Sequence, residues 1–244
     1  RRNFIKTSSL FLGTGLLANP FTAFSKSKKN YTVGEIMDLF IAQIPNTPFP
    51  TTVDTLKSGN KDQVVTGIVT TMFATVTVIQ KAIELKANFI IAHEPTFYNH
   101  LDETAWLEND PVYQFKRNLL DKHGIAVWRN HDYVHSLAID GVQAGVVKEL
   151  GWEKYYKQKA VLDLPETTLG NLITHIKTKM NVPQLRYVGD LAQKASKIIL
   201  MPGAAGGRRQ LEMIMKVKPD VLICGESPEW ETPEYVRNAN EMGE

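Results

Sequence analysis

Cysteine is nearly absent from this sequence: its 244 residues contain one, Cys224. That excludes an intramolecular disulfide framework and a Cys-rich zinc site, so any metal bound here must be held by His, Asp and Glu. Long apolar runs are lacking as well, which excludes a polytopic membrane protein. No internal repeat with a period of roughly 20 to 50 residues and no low-complexity tract is evident, which excludes solenoids and disordered arrays. What remains is 43% hydrophobic and 22% charged, with a mean hydropathy of -0.21, the profile of a soluble globular chain. Acid is missing altogether from residues 1–30, which carry Arg1, Arg2, Lys6, Lys26, Lys28 and Lys29. The formal charge of +2 therefore hides a body with 22 basic residues against 26 acidic ones. Such a charge balance implies no basic face, which argues against nucleic acid as the main partner and suits a slightly acidic enzyme.

The acid-free segment runs positive, apolar, then small. Arg1-Arg2-Asn3-Phe4-Ile5-Lys6 precedes the apolar run Leu10 to Ala18, and Pro20 and Ala23-Phe24-Ser25 follow. This order matches a secretory signal over residues 1–30, and its paired arginines and modest hydrophobicity resemble a twin-arginine leader cleaved near Ser25. The expectation is an exported, periplasmic protein with no stable membrane anchor, because the apolar stretch is too short to span a bilayer. A basic amphipathic helix that stays attached is the alternative.

Residues 31–244 alternate between two periodicities. Val33 to Ile44 has apolar residues at Val33, Ile36, Met37, Leu39, Phe40 and Ile44, which suits one helical face, and Pro45 to Pro50 ends it. After a polar linker, Lys57 to Lys61, the run Val64 to Val69 reads as a strand, Val76 to Leu85 as a helix and Phe89 to Ala92 as a buried strand. The pattern recurs as a strand over Gly124–Trp128, helices over Gly141–Leu150 and Leu169–Met180, a strand over Lys197–Met201, a helix over Arg208–Lys216 and a strand over Val221–Cys224. This alternation predicts an α/β fold with covered sheet faces.

Ligands collect at the carboxyl ends of strands in such folds. His93-Glu94-Pro95 follows one predicted strand, Asn130-His131-Asp132-Tyr133-Val134-His135 a second and Gly225-Glu226 a third. Neutral imidazole and carboxylate are the usual ligands of zinc, iron, manganese or cobalt, whose natural chemistry with a bound water is hydrolysis. A helical backbone would put His131 and His135, four residues apart, on one face. A buried histidine satisfied by a backbone carbonyl is the plainer reading of each. His100, His123 and His175 lack such neighbours and read as surface or helix-terminal residues. The turn Met201 to Arg209 follows a strand and opens a helix, so its amides and arginines could seat an anion; a tight turn that needs glycine competes with that reading. Glu226, Glu229, Glu231 and Glu234 read as a solvated loop and Cys224 as core.

These motifs resemble the NIF-three-like family, whose members are also known as dinuclear metal-centre proteins and as homologues of a type-two GTP cyclohydrolase. The resemblance is carried by Gly67-Ile68-Val69, Ala87 to Pro95, Ala126 to His131 with Asp140-Gly141-Val142, Arg186 to Asp190, Met201-Pro202-Gly203 and Asp220 to Glu226, in that order. It implies two α/β lobes with mixed sheets, a ring-shaped hexamer and two metal ions in a cleft of each subunit. Two departures bear on the site. His93-Glu94 stands where the family has two consecutive histidines, and His135 stands where it has an Asp that bridges two ions. The family also continues to a further His and Glu that complete its site, whereas this sequence stops at Glu244 and begins without Met, so it is read as a piece of a longer protein.

The expectations are these. His93, Glu94 and His135 are metal ligands, and His131 is the catalytic candidate, as a ligand or proton shuttle. The cofactor is a divalent transition metal, one or two ions of zinc, iron, manganese or cobalt. Gly203, Gly206, Gly207 and Arg208 receive an anionic part of a small-molecule substrate. The function is metal-dependent hydrolysis by an exported homo-oligomer, hexameric by resemblance. The alternative is a noncatalytic metal-binding or scaffolding protein with a degenerate site, and an anion or nucleotide sensor is a third reading.

Overall fold

Thr32 opens the first helix, α1 (Val33–Ile41), with a capping box: its hydroxyl accepts from the Glu35 amide at 3.2 Å, and the Glu35 carboxylate accepts from the Thr32 amide at 2.9 Å. The computed structural model describes residues 30–157 and 159–243. Residues 1–29, which hold nearly all of the leader-like sequence, lie outside the described residues. Among those described, no helix is long and apolar enough to cross a membrane.

The first sheet contains β1 (Leu56–Ser58), β2 (Ile68–Thr71), β3 (Phe89–Ala92) and β4 (Ala126–Arg129) in the order β1-β4-β3-β2. β2, β3 and β4 are parallel, and β1 joins β4 antiparallel. Helices α2 (Val76–Glu84) and α3 (Pro111–Lys122) connect the parallel strands, and the apolar runs Phe-Ile-Ile-Ala and Ala-Val-Trp-Arg read as strands covered on both faces. Alternation divides their side chains. Ile90, Ala92 and Val127 join Ile79, Ala82 and Leu120 from α2 and α3, while Phe89, Ala126 and Trp128 join Val33 and Met37 from α1.

A four-residue helix, α4 (Asp132–His135), and then α5 (Gly141–Leu150) lead into the second sheet. There β5 (Val161–Thr168), β6 (Lys194–Met201) and β7 (Val221–Cys224) lie in chain order, β5 antiparallel and β7 parallel to the central β6. Its core joins Val147 and Leu150 of α5 to Leu172 and Ile176 of α6 (Leu169–Met180) and to Leu162, Ile198 and Leu200 of the sheet. Helices α7 (Gly207–Val217) and α8 (Thr232–Met242) follow β6 and β7. The architecture is therefore two α/β lobes with mixed sheets.

One predicted strand is displaced. Regular pairing covers Ile68–Thr71 rather than Val64–Val69, because Val64 bridges Thr32 and the Thr66 amide donates to the Asn88 side chain at 2.8 Å, so the backbone there is satisfied outside the ladder.

Candidate metal centre

His93 directly follows β3, and His131 follows β4 after one residue. These strands are adjacent and parallel, so their ends lie side by side. The Asn130 amide donates to the Ala92 carbonyl at 2.8 Å and extends the pairing one residue towards the histidines. His131 caps α4, which swings His135 back over the same strand ends. The three rings form a nearly equilateral triangle, with centroids 4.8 Å (His93–His131), 4.9 Å (His131–His135) and 5.0 Å (His93–His135) apart. One ligand atom from each lies within 4.8 Å of the others, so the group could hold a metal ion.

Hydrogen bonds fix which nitrogen each ring presents. Nδ1–H of His93 donates to the Asn130 carbonyl at 3.2 Å, that of His131 to Asp132 Oδ1 at 3.0 Å and that of His135 to Asp140 Oδ2 at 2.8 Å. An oxygen acceptor on every Nδ1 leaves Nε2 with its lone pair in each ring, the arrangement that orients metal-binding histidines and raises their basicity as ligands. Burial lowers the pKa of His93, and the neighbouring rings of His131 and His135 add to that against the opposing pull of the Asn130 carbonyl and Glu94. The outcome favours the neutral, ligand-competent imidazole. The donor set thus fits a divalent transition metal.

The supports are themselves anchored. Asp132 Oδ2 accepts from the Thr52 hydroxyl at 2.7 Å and the Val53 amide at 3.1 Å. Burial raises the Asp132 carboxyl, but bonds from His131, Thr52 and Val53 outweigh it and hold the group below its ordinary value. Buried Asp54 accepts the amides of His131 and Tyr133, both at 2.8 Å, pinning the start of α4. Arg129 is fully buried; it donates to the backbone carbonyls of His93 (3.4 Å) and His100, and it pairs with Asp102 at 3.6 Å, as Lys57 does at 3.3 Å. The loop after β3 is therefore held from beneath by charged groups that rarely lie in an interior without partners.

The remaining candidates fall as follows. Glu94 Oε1 stands 3.9 Å from His93 Nε2, beside the three histidines and outside their group. His100, exposed, has its ring 6.0 Å from that of His131, a proximity its sequence neighbours gave no reason to expect. His123 caps the end of α3, and His175 stacks on Trp152 with Nε2–H donating to the Leu150 carbonyl at 2.8 Å. Gly203 and Gly206 adopt φ of 76° and 81°, the left-handed region glycine tolerates. The Gly207 amide at the start of α7 donates to Glu231 Oε2 at 2.9 Å, and exposed Arg208 pairs with Glu212 at 2.9 Å. Cys224 is half-buried, and burial raises its thiol pKa. Asp54, Arg129, Asp132 and Asp140 are the site residues to which the sequence motifs assign no role. Asp132 and Asp140 lie one residue beyond His131 and five beyond His135, a spacing that could have suggested them. Nothing local points from Asp54 or Arg129 to the site.

Fold and site together define an α/β protein that carries a three-histidine, metal-capable centre at parallel strand ends. The chain belongs to the Duf34/NIF3 (NGG1p interacting factor 3) family, whose model matches residues 53–240. It is 28% identical over 200 residues to a "GTP cyclohydrolase 1 type 2 homolog" of Clostridium acetobutylicum, covering 77% of this chain and 71% of that protein. The homologue of the same name from Clostridium perfringens is 26% identical over 200 residues, covering 77% and 72%. Among solved structures, a Bacillus cereus protein related to NIF3 superposes with a TM-score of 0.69 at 18% identity, covering 88% of this chain and 86% of the other, a likeness of fold.

Proposed function

We propose that this protein is an exported metal-dependent hydrolase acting on a small molecule, with His93, His131 and His135 holding one divalent transition metal and Glu94 supplying an oxygen donor beside them. The carrying observation is that all three histidines have Nδ1 engaged by an oxygen and that one ligand atom from each lies within 4.8 Å of the others. A divalent ion held there would polarise a substrate carbonyl or phosphoryl oxygen and make bound water a nucleophile near neutral pH. The chain's residues do the rest. Asn130, Asp132 and Asp140 keep the rings in one tautomer, Arg129 fixes the loop that carries His93, and the Glu94 carboxylate can take a proton at Oε1. With His131 in the triangle, its role is that of a ligand, and replacement of the family's bridging Asp by His135 favours one ion over two.

The cyclohydrolase name of the clostridial relatives supports hydrolytic ring opening as the reaction class to screen first, with the Gly203–Arg208 turn as a candidate seat for an anionic group once Glu231 is displaced. Export rests on the leader-like residues 1–30, and a hexameric homo-oligomer rests on the family resemblance. Metal content per protomer, measured by plasma mass spectrometry on the exported protein, tests the reading. One ion in the wild type, lost in His93→Ala and His131→Ala together with hydrolysis of cyclic amides, esters or phosphoesters, is the expected result. Metal bound without hydrolysis would leave the noncatalytic metal-binding alternative, and no metal in a well-folded protein would end the hydrolase reading and leave only a scaffolding role.

A further inference from the structure

One carboxylate serves both lobes. Asp140 Oδ1 caps α5 by accepting the amides of Val142 and Gln143 at 2.9 and 3.0 Å, while Oδ2 accepts the ring N–H of His135 at 2.8 Å. His135 completes the histidine triangle at the first lobe's strand ends. Helix α5 belongs to the second lobe: it buries Val147 and Leu150 in that core, and its Gln143 side chain donates to the Leu200 carbonyl of β6 at 3.1 Å. The other two ring supports stay within the first lobe, since Asn130 follows β4 and Asp132 is tied to Thr52 and Val53.

We infer that Asp140 is a positioning residue of the metal centre, and that through it occupancy of the centre is coupled to the N-terminal turn of α5. The inference rests on reading the three histidines as one metal site. The coupling has a direct physical basis. When His135 Nε2 donates to a cation, its Nδ1–H becomes a stronger donor and holds Oδ2 more tightly. Movement of the carboxylate then becomes costlier, and its other oxygen secures the Val142 and Gln143 amides more firmly. By reciprocity, a capped α5 presents a carboxylate already placed to orient His135, which favours binding of the ion. Metal therefore orders the entrance to the second lobe as it fills the first.

The test separates capping from ring orientation in the full chain. Asn caps a helix about as well as Asp, but in Asp140→Asn the amide nitrogen replaces one oxygen and cannot accept the His135 proton. Cobalt titration followed by absorption, with hydrogen exchange at single amides, gives the readouts. Expected for Asp140→Asn are an apo melting temperature close to wild type and a cobalt affinity lowered about 10- to 100-fold. Cobalt should also slow exchange at Val142 and Gln143 in the wild type but not in Asp140→Asn or His135→Ala. Asp140→Ser, which also caps but is too short to bridge both partners, should repeat the affinity loss if the Asn variant misfolds. Wild-type cobalt affinity in both variants would overturn the positioning role, and cobalt bound to the wild type with Val142 and Gln143 exchange unchanged would overturn the coupling; either result leaves the metal site standing. A wild-type protein that takes up no cobalt would remove the metal site and the coupling together.

Discussion

The two lobes use the same device, parallel strands ending side by side, to different ends. In the first, β3 and β4 run into His93 and His131, and each ring there is backed by an oxygen acceptor. In the second, β6 and β7 end in loops that satisfy one another. Gly225 lies so close to Gly203 that a Cβ on it would fall 2.5 Å from the Gly203 carbonyl oxygen, the Gly207 amide is taken by Glu231, and the Gln210 side chain donates to the Glu226 carbonyl at 3.3 Å. A strand end supplies a place. What makes it a centre is outer-shell oxygens that set each ring's tautomer and a buried scaffold that leaves the ligand atoms unspent.

That contrast can be attacked at its foundation. Arg129→Met should cause the largest loss of stability among these variants, about 3–5 kcal/mol by denaturant unfolding, because it leaves Asp102 buried with one cation fewer and the His93 and His100 carbonyls without their donor. Asp54→Ala should cost about 1–2 kcal/mol by freeing the amides of His131 and Tyr133 at the start of α4. The same variant should weaken metal binding, which a second-lobe substitution away from the α5 cap should not.

The second lobe offers a matched control in Asp220. Amide donation by Lys197 holds its carboxyl below the ordinary value of 3.8 against the effect of burial, with the Ser196 amide and hydroxyl assisting. Because the folded pKa is depressed, the group's contribution is fully present above 3.8 and is lost as the pH falls through the lower folded value. Asp220→Asn should therefore lower stability by about 1 kcal/mol at neutral pH, flatten the acid limb of the stability curve and leave metal affinity unchanged. At the small end, Arg208→Ala removes an exposed pair with Glu212 and should alter stability by no more than about 0.5 kcal/mol. A large effect there would mean that the second lobe's strand ends matter more than their contacts suggest.

Local pattern carried much of the fold. The continuous apolar runs Phe89–Ala92 and Val221–Cys224 and the helices Gly141–Leu150 and Leu169–Met180 form at the residues their periodicity indicates. Elements without such a pattern leave no clear local signal. β5 contains Pro165 and polar residues and shifts register between Asp163 and Thr167, so it lacks clean alternation. Helix α8 is masked by its largely polar composition, though Pro233 in its first turn is a start signal, and Asp110-Pro111 marks α3 in the same way. At the site, His93, His131 and His135 could be found because a strand end is a local event. Their arrangement could not, since Asp54 reaches His131 across 77 residues and Arg129 reaches the His93 carbonyl across 36. Such contacts are products of the assembled sheet.

X-ray absorption of the zinc-loaded protein, which counts imidazoles around the ion, bears most directly on the central claim. Three imidazole nitrogens at about 2.0–2.1 Å, reduced to two in His135→Ala, are the predicted result. Zinc bound without imidazole scattering, or a spectrum identical in wild type and His135→Ala, would contradict it.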